Sequence, residues 1–332
     1  MNGGASVLAA SLADRLAQRA RWRGLEITFW AIAAASVFLL PGKHLILTEI
    51  AILALFALSL DLILGYAGVI SLGHAAFFGF GAYCAGLLAK YHVIDEPLLA
   101  MGAAGLAAAL LGFATSFLVL RGSDLTRLMV TLGVALVLRE IANRFDDLTG
   151  GANGLQGIII APLLGRFSFD ISGHVAYVYV LAITSLLFLA ARRLVHSPFG
   201  LSLHAVKANP LRAAAIGIPV NARLVVIYSI AAGYAGIAGA LLTQTSAFCS
   251  LDVFSFERSA DLLLVLIIGG TGYLYGGLIG AVLFKLTQDW LAAMTPQYWQ
   301  FWIGLMLVVI VLIGHERITG WIAAARGAGR RP

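Results

Sequence analysis

Ten apolar stretches, most of them close to the length of a lipid-crossing helix, occupy most of this sequence and leave little chain for anything else. They run over residues 26–40, 45–64, 71–89, 98–120, 125–141, 175–194, 224–243, 259–272, 277–293 and 299–314. About 20 helical residues cross the hydrocarbon core, and shorter ones suffice where neighbouring helices bury them. The expected fold is therefore all-α: a polytopic transmembrane helical bundle of about ten membrane segments, some short or discontinuous.

Composition excludes a soluble alternative. Apolar residues make up 61% of 332 positions and charged ones 11%, so a water-exposed surface could not be built without large apolar patches. The 37 glycines suit helices that cross closely in lipid. A net charge of +6 would fit nucleic acid if it formed one stripe, but the basic residues sit in short loops between spans, so no nucleic acid partner is expected. With the N-terminus inside, fifteen Lys and Arg fall in cytoplasmic segments (Arg15, Arg19, Arg21, Arg23, Arg121, Arg127, Arg192, Arg193, Lys207, Arg212, Arg223, Arg317, Arg326, Arg330, Arg331). Five fall outside (Lys43, Lys90, Arg144, Arg166, Arg258), with Arg139 and Lys285 in or near spans. This positive-inside bias puts both termini in the cytoplasm. The basic run before residues 27–40 lacks a small-residue cleavage site and reads as the flank of a retained span, not a signal peptide. One transmembrane domain over 1–332 is expected, with cytoplasmic segments at 1–25 and 315–332, an outer loop at 143–174 and a cytoplasmic loop at 196–223. Cys84 and Cys249 lie in or beside apolar segments without metal-type spacing and read as packing residues.

The loop at 196–223 is polar but not unstructured. Ser197-Pro198 offers an N-cap followed by proline at the first helical position; Asn209-Pro210 repeats the device, and Gly217 supplies a stop. Two short helices outside the bilayer are expected, presented to a partner.

Glycines interrupt two apolar runs. In Gly65-Tyr66-Ala67-Gly68 through Ser71, Gly73, His74, Gly79 and Gly81 to Tyr83, a broken helix lining a pathway and close packing with a hydrogen-bonded His74 are both open readings. In 268–280 the spacing of Gly272, Gly276 and Gly280 fits one packed helical face or a sharp turn between short spans. Gly-Tyr-Ala-Gly recurs at 233–236, a hint of an internal repeat. Asp61, Arg139, Glu140, Asp252, Glu257, Asp261, Lys285 and Asp289 lie close to apolar segments; several belong at solvated span ends, while Asp61 and Lys285 are deeper. The turn-rich run 148–154 marks an ordered outer loop. No phosphate-cradling loop, metalloprotease motif or nucleophile elbow is present.

The run from Leu60 and Asp61 through Gly65-Tyr66-Ala67-Gly68 and Ser71-Leu72-Gly73-His74 to Tyr83 resembles the signature of LivM-type permeases of branched-chain amino acid ABC transporters. Leu148–Gly154 resembles that family's outer-loop motif, Ile268–Gly280 its C-terminal glycine motif, and 200–217 takes the place of its coupling loop. One departure is His204-Ala-Val-Lys207-Ala-Asn209-Pro210-Leu211-Arg212, which lacks the acidic residue expected there. The resemblance implies a second, LivH-type permease, two ATP-binding cassette subunits that hydrolyse ATP, a periplasmic substrate-binding protein, and no cofactor on this chain. It implies pathway residues Gly65, Tyr66, Ser71, Gly73, His74, Gly79, Gly81, Gly270 and Gly272. For ATPase coupling it implies Leu203, Val206, Lys207, Asn209, Pro210, Leu211, Arg212, Ala213, Ala214, Ile216 and Gly217, with Val206, Leu211 and Ile216 as apolar contacts and Lys207 and Arg212 as rim charges. The cargo is expected among branched-chain amino acids and related amides, urea or aromatic acids. A secondary transporter or channel working without ATP is the alternative; an enzyme would need a partner pair, for which Ser71 and His74 on one helical face are the only candidates.

Overall fold

A computed structural model describes residues 24–170 and 172–313, so the terminal segments 1–23 and 314–332, including most of the basic flank, lie outside the described residues. Ten helices coincide with the ten apolar stretches: α1 (Gly24–Leu39), α2 (His44–Leu64), α3 (Ala75–Lys90), α4 (Pro97–Val119), α5 (Asp124–Arg144), α6 (His174–Val195), α9 (Val220–Ser246), α10 (Phe256–Gly269), α11 (Leu274–Met294) and α12 (Trp299–Ile313). Two short helices, α7 (Pro198–Ala208) and α8 (Pro210–Ala215), intervene. Among the described residues there is no β-strand, only isolated bridges pairing Leu155 with Cys249 and Leu163 with Phe167.

Four helices, α2, α4, α6 and α9, are each long and apolar enough to cross a membrane, and α10 with α11 makes a fifth span if the bent pair is counted as one. The others need shelter or company. At 16 residues α3 is short, but it is mostly buried, whereas α5 carries Asp124, Arg127, Arg139, Glu140 and Arg144 on an otherwise apolar helix.

The core forms around α9, which packs against α2, α3 and α4. Small residues set how closely these backbones approach. A Cβ on Gly81 would lie 2.2 Å from the Gly236 carbonyl oxygen, and one on Gly239 would lie 1.9 Å from that of Phe78. Against α4, Gly236 faces Ala108 in the same way.

Both glycine-rich runs are breaks. Residues 65–74 are irregular between α2 and α3, so Ser71 and His74 precede the helix instead of sharing a face of it. Between α10 and α11 the chain turns by 111° at 270–273, with Gly270 and Gly272 at φ 91° and 80°. Gly272 is thereby off the helix, and the single Gly272–Gly276–Gly280 face gives way to a sharp turn. Gly276 and Gly280 do pack tightly, their Cβ positions 2.0 and 2.1 Å from the carbonyl oxygens of Gly270 and Val265 on the opposing limb. The repeated tetrapeptide is irregular at 65–68 and helical at 233–236, so it marks no structural repeat.

Local devices shape α7 and α8 as the sequence suggests. Ser197 Oγ accepts from the Gly200 amide at 3.4 Å and Asn209 Oδ1 from the Arg212 amide at 2.9 Å. Gly217 at φ 88° ends the pair. The opposite end of the bundle carries the loop after α5. There a helical turn (Asp146–Thr149) and a 3-10 turn (Gly151–Asn153) are pinned when Thr149 Oγ1 donates to Phe145 O at 2.7 Å, and Leu155 N–H to Cys249 O at 2.7 Å. Near the start of α6, Asp170 accepts from the Ser172 hydroxyl and from the Val175 amide at 3.1 Å, which hold its carboxyl below the usual carboxylate range.

Candidate coupling and pathway site

At the end carrying α7 and α8, three segments that are remote in sequence meet through hydrogen bonds. Lys207, in the last turn of α7, donates from Nζ to the carbonyl oxygen of Gly65 at 2.6 Å. Its stem covers Gly68, whose φ of 74° belongs to the break, and the His204 ring meets Tyr66 edge-on at 5.2 Å. On the other side of the same break, Asp61 is fully buried in α2 and accepts the Gly272 amide at 2.7 Å. Lys207 is also an electrostatic neighbour of Asp61. The surface helix α7, the first break and the second break thus form one polar chain in otherwise apolar surroundings. Glycine is required at 65 because a Cβ there would sit 2.2 Å from Asp61 Oδ1 and 2.5 Å from the Gly272 nitrogen.

The other motif residues are spread through the bundle as packing contacts. His74 is buried between Phe56, stacked at 5.8 Å, and Phe77, edge-on at 5.7 Å. Ser59 donates its hydroxyl proton to Phe56 O at 2.6 Å, so its oxygen accepts from His74 Nε2 at 2.8 Å. Ser71 Oγ is buried without a partner, and no hydrogen bond joins it to His74. The structure thus does not join the pair as nucleophile and base. Gly73 abuts the Thr131 carbonyl, Gly79 the Phe254 ring, and Gly81 the backbone of α9.

On α7 and α8 the side chains divide into two faces. Leu203, Val206 and Ala213 are buried within the chain, so Val206 does not sit where a docking contact belongs, whereas Lys207 stays exposed while its Nζ bonds to Gly65. Leu211 and Ile216 are 82% and 75% exposed. Pro210, Leu211 and Ala214 form one wall of a shallow groove of about 520 Å³ whose other wall is Pro219–Ala222.

At the opposite end lies a cavity of about 600 Å³ between α2, α3, α5, α9, α10, α11 and α12. It gathers Arg139, Asp252, Glu257, Asp261 and Lys285, residues the sequence marks only singly, and adds Glu49, Ser255, Arg258, Gln288 and Gln300, which periodicity gives no reason to select. Asp61 and Lys285 do not meet. Lys285 pairs instead with Glu49 at 2.7 Å and Asp289 at 3.4 Å. Among the described residues no group of three His, Cys, Asp or Glu side chains is arranged to hold a metal ion.

Residues 44–311 match the family described as the permease component of the branched-chain amino acid transport system. The chain belongs to this family. Two curated relatives are similar along most of their length, both described as the high-affinity branched-chain amino acid transport system permease protein LivM. The one from Salmonella typhimurium is 27% identical over 303 residues, covering 85% of this chain and 71% of the relative. That from Escherichia coli is 26% identical over 308 residues, 86% and 72% of the two chains. No solved structure matches the chain.

In this permease the Lys207–Gly65 bond is a physical link from a surface helix into the bundle. Lys207→Met keeps the side chain's length and removes its donor. It is expected to accelerate amide hydrogen exchange across residues 65–69 about tenfold, the equivalent of one charge-assisted hydrogen bond, as read by exchange mass spectrometry. Unchanged exchange would show that the bond does not order the break.

Proposed function

We propose that this chain is one of two different permease subunits of an ABC importer in a bacterial inner membrane, with α7 and α8 facing the cytoplasm. The second permease is of the LivH type, a periplasmic substrate-binding protein delivers solute to the cavity end, and two ATPase subunits that hydrolyse ATP seat α8 in a groove. Branched-chain amino acids or related small solutes are the cargo. The observation that carries the reading is the Lys207–Gly65 bond with the Asp61–Gly272 bond behind it. A helix lying outside the bilayer that is hydrogen-bonded into the broken ends of two spans can convert a push into a change at both breaks. The docking face is Leu211, Arg212, Ala214 and Ile216, apolar at its centre with one charge at its rim.

The paired change Leu211→Asp and Ile216→Asp places two carboxylates on that face. It is expected to strip the ATPase subunits from the detergent-purified complex and reduce ATP-dependent uptake at least tenfold in vesicles, while the permease still enters the membrane. Uptake unchanged by this variant would overturn the docking assignment. Uptake by the purified chain alone, driven by an ion gradient without ATP, would favour a secondary transporter.

A further inference from the structure

The outer loop after α5 is tied down on two sides, to two parts of the bundle that are held very differently. On one side the Thr149 hydroxyl lies 2.5 Å from Ala142 O and 2.7 Å from Phe145 O, and its oxygen takes the Gly151 amide at 3.3 Å. The helical turn Asp146–Thr149 therefore moves with the outer end of α5. On the other side Leu155 pairs with Cys249 in the connection from α9 to α10: its amide donates to Cys249 O at 2.7 Å, and its carbonyl accepts the Cys249 amide at 3.3 Å. α9 belongs to the core, whereas α5 buries only Thr131, Ala135 and Ala142 of its 21 residues. The Leu155–Cys249 pair thus fastens a lightly held helix to a firmly held one.

The pair is also a plug. Leu155 is fully buried, and its side chain converges with those of Ile158 and Thr243 on Gly86 of α3, where a Cβ would come within 2.7 Å of Leu155 Cδ2. One leucine from the loop therefore fills the space between the outer halves of α3 and α9. Gly154 and Gly157, at φ 76° and 73°, flank it, so the chain can swing the leucine out by turning at two residues that adopt such angles freely. Beneath the plug the Tyr83 hydroxyl is buried with no hydrogen-bond partner among the described residues, and the Thr243 hydroxyl has only the weakly bonding Cys249 thiol beside it. Buried hydroxyls are as a rule satisfied, and these two gain water when Leu155 withdraws. The closed arrangement carries its own bias toward opening, and two backbone hydrogen bonds with one leucine can part without unfolding a helix.

We propose that the Leu155–Cys249 pair is a latch on the outer end of the permease, and that it parts and closes again in every transport cycle. When it parts, α5 with its attached turn separates from the connection between α9 and α10, and Cys249 meets water. The inference rests on the importer reading and adds to it a strap, built from the outer loop, that must release before solute can pass.

The test uses the complete complex of both permeases, ATPases and binding protein in right-side-out vesicles, with Cys84→Ala throughout so that Cys249 is the one cysteine left in this chain. Leu155→Cys then faces Cys249 across a hydrogen-bonded antiparallel pair, whose Cα atoms lie about 5.5 Å apart, inside the range of about 4.4–6.8 Å that a disulfide spans. Oxidation is expected to cross-link the two and lower ATP-dependent uptake at least about tenfold, with dithiothreitol restoring it; the same variant carrying Cys249→Ala should be indifferent to both treatments. The second measurement leaves Leu155 in place: labelling of Cys249 by a membrane-impermeant maleimide is expected to be slow at rest and at least about tenfold faster during turnover with ATP and loaded binding protein. This reading decides the matter if Leu155→Cys does not fold. A cross-linked permease that transports at the full rate, a pair that does not cross-link, or Cys249 labelling that turnover leaves unchanged would overturn the latch, while uptake by the unsubstituted complex would still stand. Absence of ATP-dependent uptake in the complex without substitutions would count instead against the importer reading.

Discussion

Gly239→Val is expected to abolish recovery of folded permease from detergent, whereas Gly102→Val leaves it unchanged. Both glycines lie in apolar helices, and the residue exchange is the same. They differ in what the new side chain meets: a Cβ at 239 comes within 1.9 Å of the Phe78 carbonyl oxygen, while nothing lies within 4 Å of one at 102. The obstacle at 239 is backbone of α3, so relief demands moving a whole helix away from the core helix α9. Inserting bulk into a packed interior costs about 1–3 kcal/mol even when side chains can adjust, and here none can. The displacement would also loosen the contact of Gly81 with Gly236 about one turn along the same crossing. Size-exclusion profiles and thermal midpoints of the two variants check this directly. Similar profiles for both would mean that the helices do not cross as closely as described.

Much of this architecture is legible in the sequence because the signals are local. Apolar run length locates ten helices to within a few residues, and Ser197-Pro198 and Asn209-Pro210 mark α7 and α8 because a side-chain cap acts on an amide three residues away. The glycine runs announce that helices break but not where the chain goes afterwards. Gly272 fits a helical face by spacing and belongs to a turn because Asp61, 211 residues earlier, takes its amide. Lys207 reads as a rim charge on the coupling loop, and only the packing of α7 over residues 65–68 brings its ammonium to the Gly65 carbonyl. Val206 fails as a docking residue for the same reason: one face of an amphipathic surface helix must be buried, and the sequence does not say against which neighbour. The cavity is the least legible feature, because its charges come from five separate segments and acquire meaning only when those segments assemble.

Asp61→Ala is expected to lower ATP-dependent uptake more than tenfold, and Asp61→Asn to retain a substantial part of it. The carboxylate Oδ1 is the acceptor for the half-buried Gly272 amide at 2.7 Å, and asparagine can present a carbonyl oxygen in that place while alanine cannot. An orphaned buried amide costs about 1–3 kcal/mol, enough to release the turn at 270–273 from α2. Once released, the second break no longer follows the first, and a push arriving through Lys207 reaches Gly65 but not α11. The expected signature is therefore uncoupling: in Asp61→Ala the ATPases stay bound and hydrolyse ATP, yet little solute moves, whereas in Leu211→Asp with Ile216→Asp the ATPases are lost. Measuring bound ATPase, hydrolysis and uptake on the same vesicle preparations separates the two. If Asp61→Ala transported as well as the unsubstituted protein, the hydrogen bond to Gly272 would be a packing detail, and force would have to pass from α7 into the bundle by another route.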